Sequence, residues 1–506
     1  MKKIIFSVTL IAIISKLFGF GREISLSYIY GATSISDAYL ISVNIPNLVF
    51  GILSAGIISS YIPMYTEIEL TNGRESANRF TSNLINVMFV VCTILVTTSI
   101  LYTEEIVSLL APGFNQQTLV QATVLTKVTI FAIYVNGIVA IMSGFLQVND
   151  RHNITVLNGL ILNVVIILTI VISPMLDFKV LAYGFLLGIL SKILIMIPSI
   201  RREGYNHQVY LKPFNPELKK MLFTAIPVII GTSVNQLNML VDKNIASRLG
   251  EGGISALNYA SRLNELVQGV LILPVVLVLF PMLSKLTIGG EIVGFKKIVS
   301  KTIIGISALV VPISFGSMLF SEELTSLLFD RGAFDQRAVI MTSSALFFYS
   351  IGMIGFGFRE LLARAFYSLQ DTKTPMINAV IGVVVNIILN IVLSKFLGLG
   401  GLALATSISA IFTSVLLFGS LKKKIGSIGM NGVSISVLKI FISAIIMGLG
   451  AKACFLYLSS MVNEGFSVLL SILVGGIIYF TALSLFKIDE IELFIKDIRR
   501  KLEIPK

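Results

Sequence analysis

Stretches of about twenty apolar residues, parted by short polar breaks, recur some fourteen times between Met1 and Leu485. A bilayer core about 30 Å thick is crossed by about 20 apolar residues in a helix, and lipid offers no partner to an unpaired backbone N–H or C=O. The pattern predicts an all-α polytopic membrane protein with about 14 transmembrane helices, both termini included in the count. Only 13% of the 506 residues are charged, and most of these sit in the breaks. No polar stretch exceeds roughly 20 residues, so there is no room for a separate soluble catalytic domain, and an enzyme is not expected. The apolar run after Lys2-Lys3 lacks a small-residue cleavage site and meets Arg22-Glu23 directly, so it reads as a retained first span.

The formal charge of +12 would suggest nucleic acid in a soluble chain. Here the bases lie beside the spans and alternate with acid-bearing breaks, as the positive-inside rule expects, and no nucleic-acid partner is implied. Arg74, Arg79, Arg151, Arg201-Arg202, Lys212, Lys296-Lys297, Lys373 and Lys422-Lys423-Lys424 fall on one side. Glu104-Glu105, Asp177, Glu251, Glu322-Glu323 and Glu464 fall on the other, which predicts both termini in the cytoplasm. Cys92 and Cys454 fall inside spans and His152 and His207 in loops, without metal-ligand spacing.

The chain repeats itself. Ile62-Pro63-Met64 returns as Phe280-Pro281-Met282, Leu109–Phe114 is echoed by Leu327–Phe334, and Leu146-Gln147 with Asn163 is matched by Leu369-Gln370 with Asn386. Each copy holds six spans, an even number, so both copies run the same way. A parallel repeat of this kind predicts two pseudo-symmetric six-helix lobes, with a substrate site at the repeat interface as in secondary transporters. The expected divisions are 1–216 (first lobe), 217–430 (second lobe), 431–486 (two extra C-terminal helices) and 487–506 (an amphipathic cytoplasmic tail). The two extra helices are almost wholly apolar, and serve either passive packing or a surface for a long lipid tail.

Ionisable groups inside a span are costly and usually face a cavity or a partner. Lys16, Arg22 and Glu23 lie in the first span, with positions 16 and 23 on one helical face. Asp242-Lys243 follow Asn235 and Asn238 in the seventh, and Arg262 and Glu265 form an i,i+3 pair in the eighth. Arg359-Glu360 and Arg364 lie in the tenth, near a basic loop, where neutral pairing or snorkelling is the simpler reading. Arg22 and Arg262 come from different lobes and are the candidates for a cationic cavity. Such a cavity implies an anionic substrate, and the planar guanidinium fork suits phosphate.

The run Ser15–Glu67, SKLFGFGREISLSYIYGATSISDAYLISVNIPNLVFGILSAGIISSYIPMYTE, resembles the opening of the MurJ (MviN) lipid II flippases, members of the multidrug/oligosaccharidyl-lipid/polysaccharide exporter superfamily. LLAPGF at 109–114, VDKNIASRLGEGGISALNYASRL at 241–263, LLFDRGAF at 327–334 and RAFYSLQDTKTP at 364–375 carry the resemblance over the chain. It implies a bacterial cytoplasmic-membrane flippase, acting as a monomer, that moves lipid II or a related polyprenyl-pyrophosphate-linked sugar by alternating access. Arg22, Glu23, Lys16, Asp37 and Arg262 would then surround the pyrophosphate, beside Glu265. The resemblance also implies a sodium site at Asp242, Asn386, Asn390, the carbonyl region of Leu402, and Thr406; no other cofactor is implied. Two departures stand out. Many members carry an arginine shortly after the proline of span 2, where this chain has Leu48-Val49-Phe50-Gly51, and Asn390 stands where a sodium-binding member has aspartate. The rival readings are a flippase for O-antigen, teichoic or capsular units, a multidrug cation exporter, and a transferase acting on polyprenyl phosphate.

Overall fold

The computed structural model describes residues 2–427 and 430–486, so the expected tail at 487–506 lies outside the described residues. Among them there are helices and no strand. The chain divides into two compact units, each described by itself: one takes the residues up to Ser255 together with Arg331–Ala338, the other takes the rest.

Unit 1 contains α1 (Lys2–Tyr30), α2 (Ser34–Asn72), α3 (Arg74–Leu101), α4 (Thr103–Leu110), α5 (Gln116–Thr129), α6 (Ala132–Val148), α7 (His152–Ile172), α8 (Val180–Arg202), α9 (Pro216–Ser247) and the first turn of α10 (Gly253–Val267). Lipid tails are as apolar as leucine, so helices in a bilayer are joined by close packing and interhelical polar contacts rather than by escape from water. Both are visible here. Tyr61 and Tyr65 of α2, Phe80 of α3, Phe145 of α6 and Met196 of α8 share one buried cluster, with the Tyr61 hydroxyl 2.8 Å from Thr81 Oγ1. A Cβ at Gly56 of α2 would lie 2.5 Å from Ile229 Cγ1, so this glycine lets α2 and α9 touch. The loop ends Arg74, Asn149, Arg151 and Glu203 are bonded together, which gathers this basic set at one end of the unit.

Unit 2 holds the rest of α10, then α11 (Leu273–Ile288), α12 (Ile292–Leu319), α13 (Ser321–Phe329), most of α14 (Gln336–Ser368), α15 (Lys373–Ile425), α16 (Met430–Leu458) and α17 (Glu464–Leu485). A π-helical turn, Gln268–Ile272, joins α10 to α11 where the sequence places Gly269 and Pro274 as bending points. The inner faces of α16 and α17 supply Ile440, Ala444, Tyr479 and Leu483 to the core around Phe295, Val310 and Phe366. The Tyr479 hydroxyl donates to the Ala308 carbonyl at 2.7 Å. Lys452, the cation inside the first extra helix, reaches Glu323 at 2.5 Å over the rings of Phe320 and Phe455. Arg359 and Arg364 rest over aromatic rings.

Among the described residues eleven helices are long and apolar enough to cross a membrane, or twelve if α5 and α6, bent by 42°, form one span. The expected fourteen is not reached by that measure, and α15 supplies part of the reason. At 53 residues it would be about 80 Å long if straight, far beyond a bilayer. It is not straight. Gly398 takes φ 56°, ψ −130°; side chains pair Asn378 with Ser420 and Asn386 with Thr406, and the Ser409 hydroxyl donates to the Gly382 carbonyl, the pattern of two antiparallel limbs. The apolar pattern of the sequence predicts two spans here, 376–395 and 401–420, and these are the limbs. The break between them is mostly apolar, so one glycine makes the turn without a polar loop.

Candidate functional site

Arg22 sits in the apolar second half of α1, where an unpartnered guanidinium would be expensive. Two neighbours answer that cost. Its Nη2 donates to Glu23 Oε1 at 2.6 Å and its Nη1 to Asn163 Oδ1 of α7 at 3.2 Å. The Asn163 amide in turn donates to the Ser15 carbonyl at 3.2 Å, which fixes the amide's orientation against α1. Glu23 is 2% exposed and the Arg22 side chain 23%, so the pair is desolvated from one side and open from the other. Lys192 of α8, half-buried, lies within electrostatic reach of Arg22 and makes no hydrogen bond or ion pair among the described residues. Two cations thus stand against one carboxylate.

Sequence reasoning named Arg22 and Glu23 but missed Lys192 and gave Asn163 only as a repeat marker. A lone lysine in the middle of an otherwise apolar span was the available signal for the first. Lys16 is exposed and makes no hydrogen bond or ion pair among the described residues. Two turns of helix carry it out of the environment of buried Glu23, so the shared face did not bring the two together.

Asp37 has a different surrounding. It is buried near the start of α2, and its carboxylate accepts the Gly252 N–H at 2.9 Å, the Ser255 N–H at 2.7 Å and the Ser255 hydroxyl at 2.5 Å. These donors form the opening turn of α10, whose unpaired N–H groups and positive dipole end both favour an anion. The capping of α10 occupies both carboxylate oxygens.

In unit 2, Arg262 Nη1 donates to Glu265 Oε2 at 2.6 Å, with the side chains 40% and 55% exposed. This is a solvated i,i+3 pair on one face of α10. Also in unit 2, four of the residues tied by resemblance to sodium form a chain: Asn390 Nδ2 donates to Asn386 Oδ1 at 2.8 Å, Asn386 Nδ2 to Thr406 Oγ1 at 3.3 Å, and Thr406 Oγ1 to the Leu402 carbonyl at 3.0 Å. Amide hydrogens reach Asn386 Oδ1 and Thr406 Oγ1, and none of the four is a carboxylate. Asp242, the one acid of the set, is half-buried on α9 in unit 1. Among the described residues no three of His, Cys, Asp or Glu gather in a metal-binding group.

Solved structures share this architecture at low identity. An inward-facing multidrug exporter of the MATE family superposes with a TM-score of 0.67 at 16% identity, over 82% of this chain and 95% of its own. The fold is therefore one that this exporter, of the MOP superfamily, also adopts. A family model described as lipid II flippase MurJ matches residues 26–475, and the chain belongs to that family. A solved lipid II flippase MurJ in an inward closed conformation superposes with a TM-score of 0.83 at 27% identity, over 96% of this chain and 99% of its own. The lipid II flippase MurJ of Burkholderia cenocepacia is 27% identical over 81% of this chain and 82% of its own, and a probable lipid II flippase of Vibrio cholerae is 29% identical over 82% and 81%.

Proposed function

We infer that this chain flips lipid II, a peptidoglycan precursor, from the cytoplasmic to the outer leaflet of the bacterial cytoplasmic membrane, and that Arg22 with Lys192 receives the pyrophosphate. The observation that carries the reading is the placing of two cations, Arg22 and Lys192, beside buried Glu23, with the guanidinium 23% exposed. Glu23 and Asn163 hold the fork in one orientation, so little side-chain freedom is lost when an anion arrives. A phosphate there is attracted by both cations.

Within unit 2, Arg262 is a separate candidate for an anionic group, paired with the exposed Glu265. Asp37 acts as a helix cap rather than as a ligand, and Lys16 meets the head group at the approach to Arg22. The chain works by alternating access, presenting Arg22 first to one aqueous side and then to the other. Both termini lie in the cytoplasm, supported by the basic loop ends gathered at one end of unit 1. The outer faces of α16 and α17 expose Leu449, Leu473, Ile477 and Phe480, a surface along which a polyprenyl tail can stay in lipid. The work is transport, performed by a monomer.

A multidrug exporter of lipophilic cations would want an acidic pocket, and the excess charge at Arg22 has the opposite sign. Reconstitution in liposomes with labelled lipid II tests the assignment, comparing native protein with Arg22→Ala and Lys192→Met and with a labelled capsular-type polyprenyl-linked sugar as competitor. Loss of lipid II transfer in the variants is expected. Equal transfer in all three proteins, or preference for the competitor, overturns it.

A further inference from the structure

The segment between α8 and α9, residues 203–215, is not helical, yet it is tightly held. Buried Asn83 of α3 grips both backbone groups of Lys212, accepting its N–H at 2.7 Å and donating to its carbonyl at 3.0 Å. Asn86 donates to the carbonyls of Gln208 and Tyr210, both at 3.0 Å, and Ser82 Oγ accepts the Gln208 N–H at 3.2 Å. Tyr205 anchors the start, with its ring in the unit 1 core and its hydroxyl 3.0 Å from Ser82 Oγ. The result is an extended strap laid along α3.

This fixed strap presents two features that unit 1 does not use. First, Val209 and Phe214 are 99% and 96% exposed, side chains that water penalises and that the pinned backbone cannot turn inward. Second, a cleft of about 590 Å³ beneath Phe214 is lined by Arg79, Tyr210 and Lys212. Arg79 Cζ stands 4.5 Å from the Tyr210 ring centre and Lys212 Nζ 5.4 Å from it. Neither base forms an ion pair among the described residues, and nor does Glu217, the carboxylate in the lining. Two cations drawn to one ring repel each other, and the aromatic face offsets only part of that. An anion seated between them removes the repulsion.

The strap joins the ends of two membrane spans, Arg202 and Pro216, so it lies at the depth of the lipid head groups. We propose that it is a docking site for an anionic phospholipid, whose phosphate bridges Arg79 and Lys212 while Val209 and Phe214 enter the upper acyl layer. A free phosphate ion would satisfy the bases and leave both apolar side chains in water. A membrane lipid answers both features at once, as basic-and-aromatic surfaces do at the bilayer boundary. The proposal stands on the membrane placement alone and is independent of the cargo assigned at Arg22.

The test uses the full-length protein purified in neutral detergent and titrated with phosphatidylglycerol, phosphatidylcholine or chainless glycerol phosphate. Bound lipid is read by native mass spectrometry and hydrogen exchange is read over 205–216. Phosphatidylglycerol is expected to bind and to slow exchange in the strap, with phosphatidylcholine markedly weaker. Each base near a membrane surface is worth about fivefold, so Arg79→Gln with Lys212→Gln should weaken phosphatidylglycerol about tenfold or more. The charge-keeping pair Arg79→Lys with Lys212→Arg should retain it, which guards against a folding artefact. Val209→Ser with Phe214→Ser should weaken phosphatidylglycerol and leave glycerol phosphate unaffected. Native-like binding by the Gln pair overturns the proposal. So does equal protection by glycerol phosphate, which marks a free-anion site, or by phosphatidylcholine, which marks an apolar surface without charge recognition.

Discussion

Arg22 and Arg262 are both arginines paired with glutamates in membrane helices, yet they are built for different work. Arg22 is held against a glutamate only 2% exposed and braced by an asparagine from another helix. Arg262 is paired within its own helix to a glutamate more than half exposed. A buried pair is strongly coupled, because removing either partner strands the other in a poor solvent. A more exposed pair is worth little to stability. The first arrangement suits a fixed reception site, the second a separate contact for an anionic group.

The sharpest way to break this contrast is at Arg22. Arg22→Ala leaves Glu23 buried without its cation, and should cost about 3 kcal/mol or more of stability as well as lipid II transfer. Adding Glu23→Gln should restore most of the stability and none of the transfer. Thermal unfolding in detergent and the liposome assay read the two effects apart. Recovery of transfer in the double variant would mean that Arg22 serves only to neutralise Glu23.

Asp37 carries the next largest effect and divides structure from transport. Asp37→Asn takes the charge from the α10 cap and puts an amide donor among N–H groups, which should cost about 1–3 kcal/mol. Lipid II affinity of the folded fraction should be unchanged. A selective loss of affinity at native stability would return Asp37 to the substrate site. Lys192→Met should do the reverse, lowering lipid II affinity up to about tenfold, the worth of about 1.4 kcal/mol, while stability holds or rises as repulsion with Arg22 is relieved.

Unit 2 has its own tightly held carboxylate outside the spans. Asp371 accepts the Lys424 ammonium at 2.6 Å, the Thr374 N–H at 3.0 Å and the Thr374 hydroxyl at 2.9 Å. The Lys424 ammonium first, then the Thr374 N–H, pulls its carboxyl from the ordinary 3.8 down to about 2. A carboxylate depressed on folding stabilises above its unfolded value, so the contribution is whole above about pH 5 and fades as pH falls through 3.8 toward 2. Lys424 is 40% exposed, so solvent screening limits it to about 1 kcal/mol. Acid unfolding of Asp371→Asn should show a shallower decline over that interval, and an unchanged curve would place the shift elsewhere.

The span pattern, the repeat and the pairings Arg22–Glu23 and Arg262–Glu265 were legible in the sequence because each rests on local spacing. What separated the two arginines was not legible. Burial of Glu23 depends on α7 packing against α1, and nothing in a linear string distinguishes that glutamate from Glu265. Lys192 stood out as a lone lysine in an apolar span, but its meaning and that of Asn163 come from residues some 140 or more positions away. Asp37 entered by resemblance, as a ligand, and only the long-range bonds to 252 and 255 reveal the cap. The break at Gly398 was legible as the glycine-rich gap between the expected spans 376–395 and 401–420, although no polar loop marks it.

Arg262→Ala should be the gentlest of these changes, and it decides how far the contrast reaches. Breaking an exposed pair is expected to alter stability by about 0.5 kcal/mol or less, because Glu265 regains water in place of its partner. Transfer should nonetheless fall, less than for Arg22→Ala, and Arg262→Lys should recover more of it than Arg22→Lys does. The reason is geometric: a solvated ligand needs chiefly charge, whereas the fork of Arg22 is oriented by two separate acceptors and a lysine cannot reproduce it. Equal rescue by lysine at both positions would show that orientation matters at neither, and the two arginines would then differ only in their cost to folding.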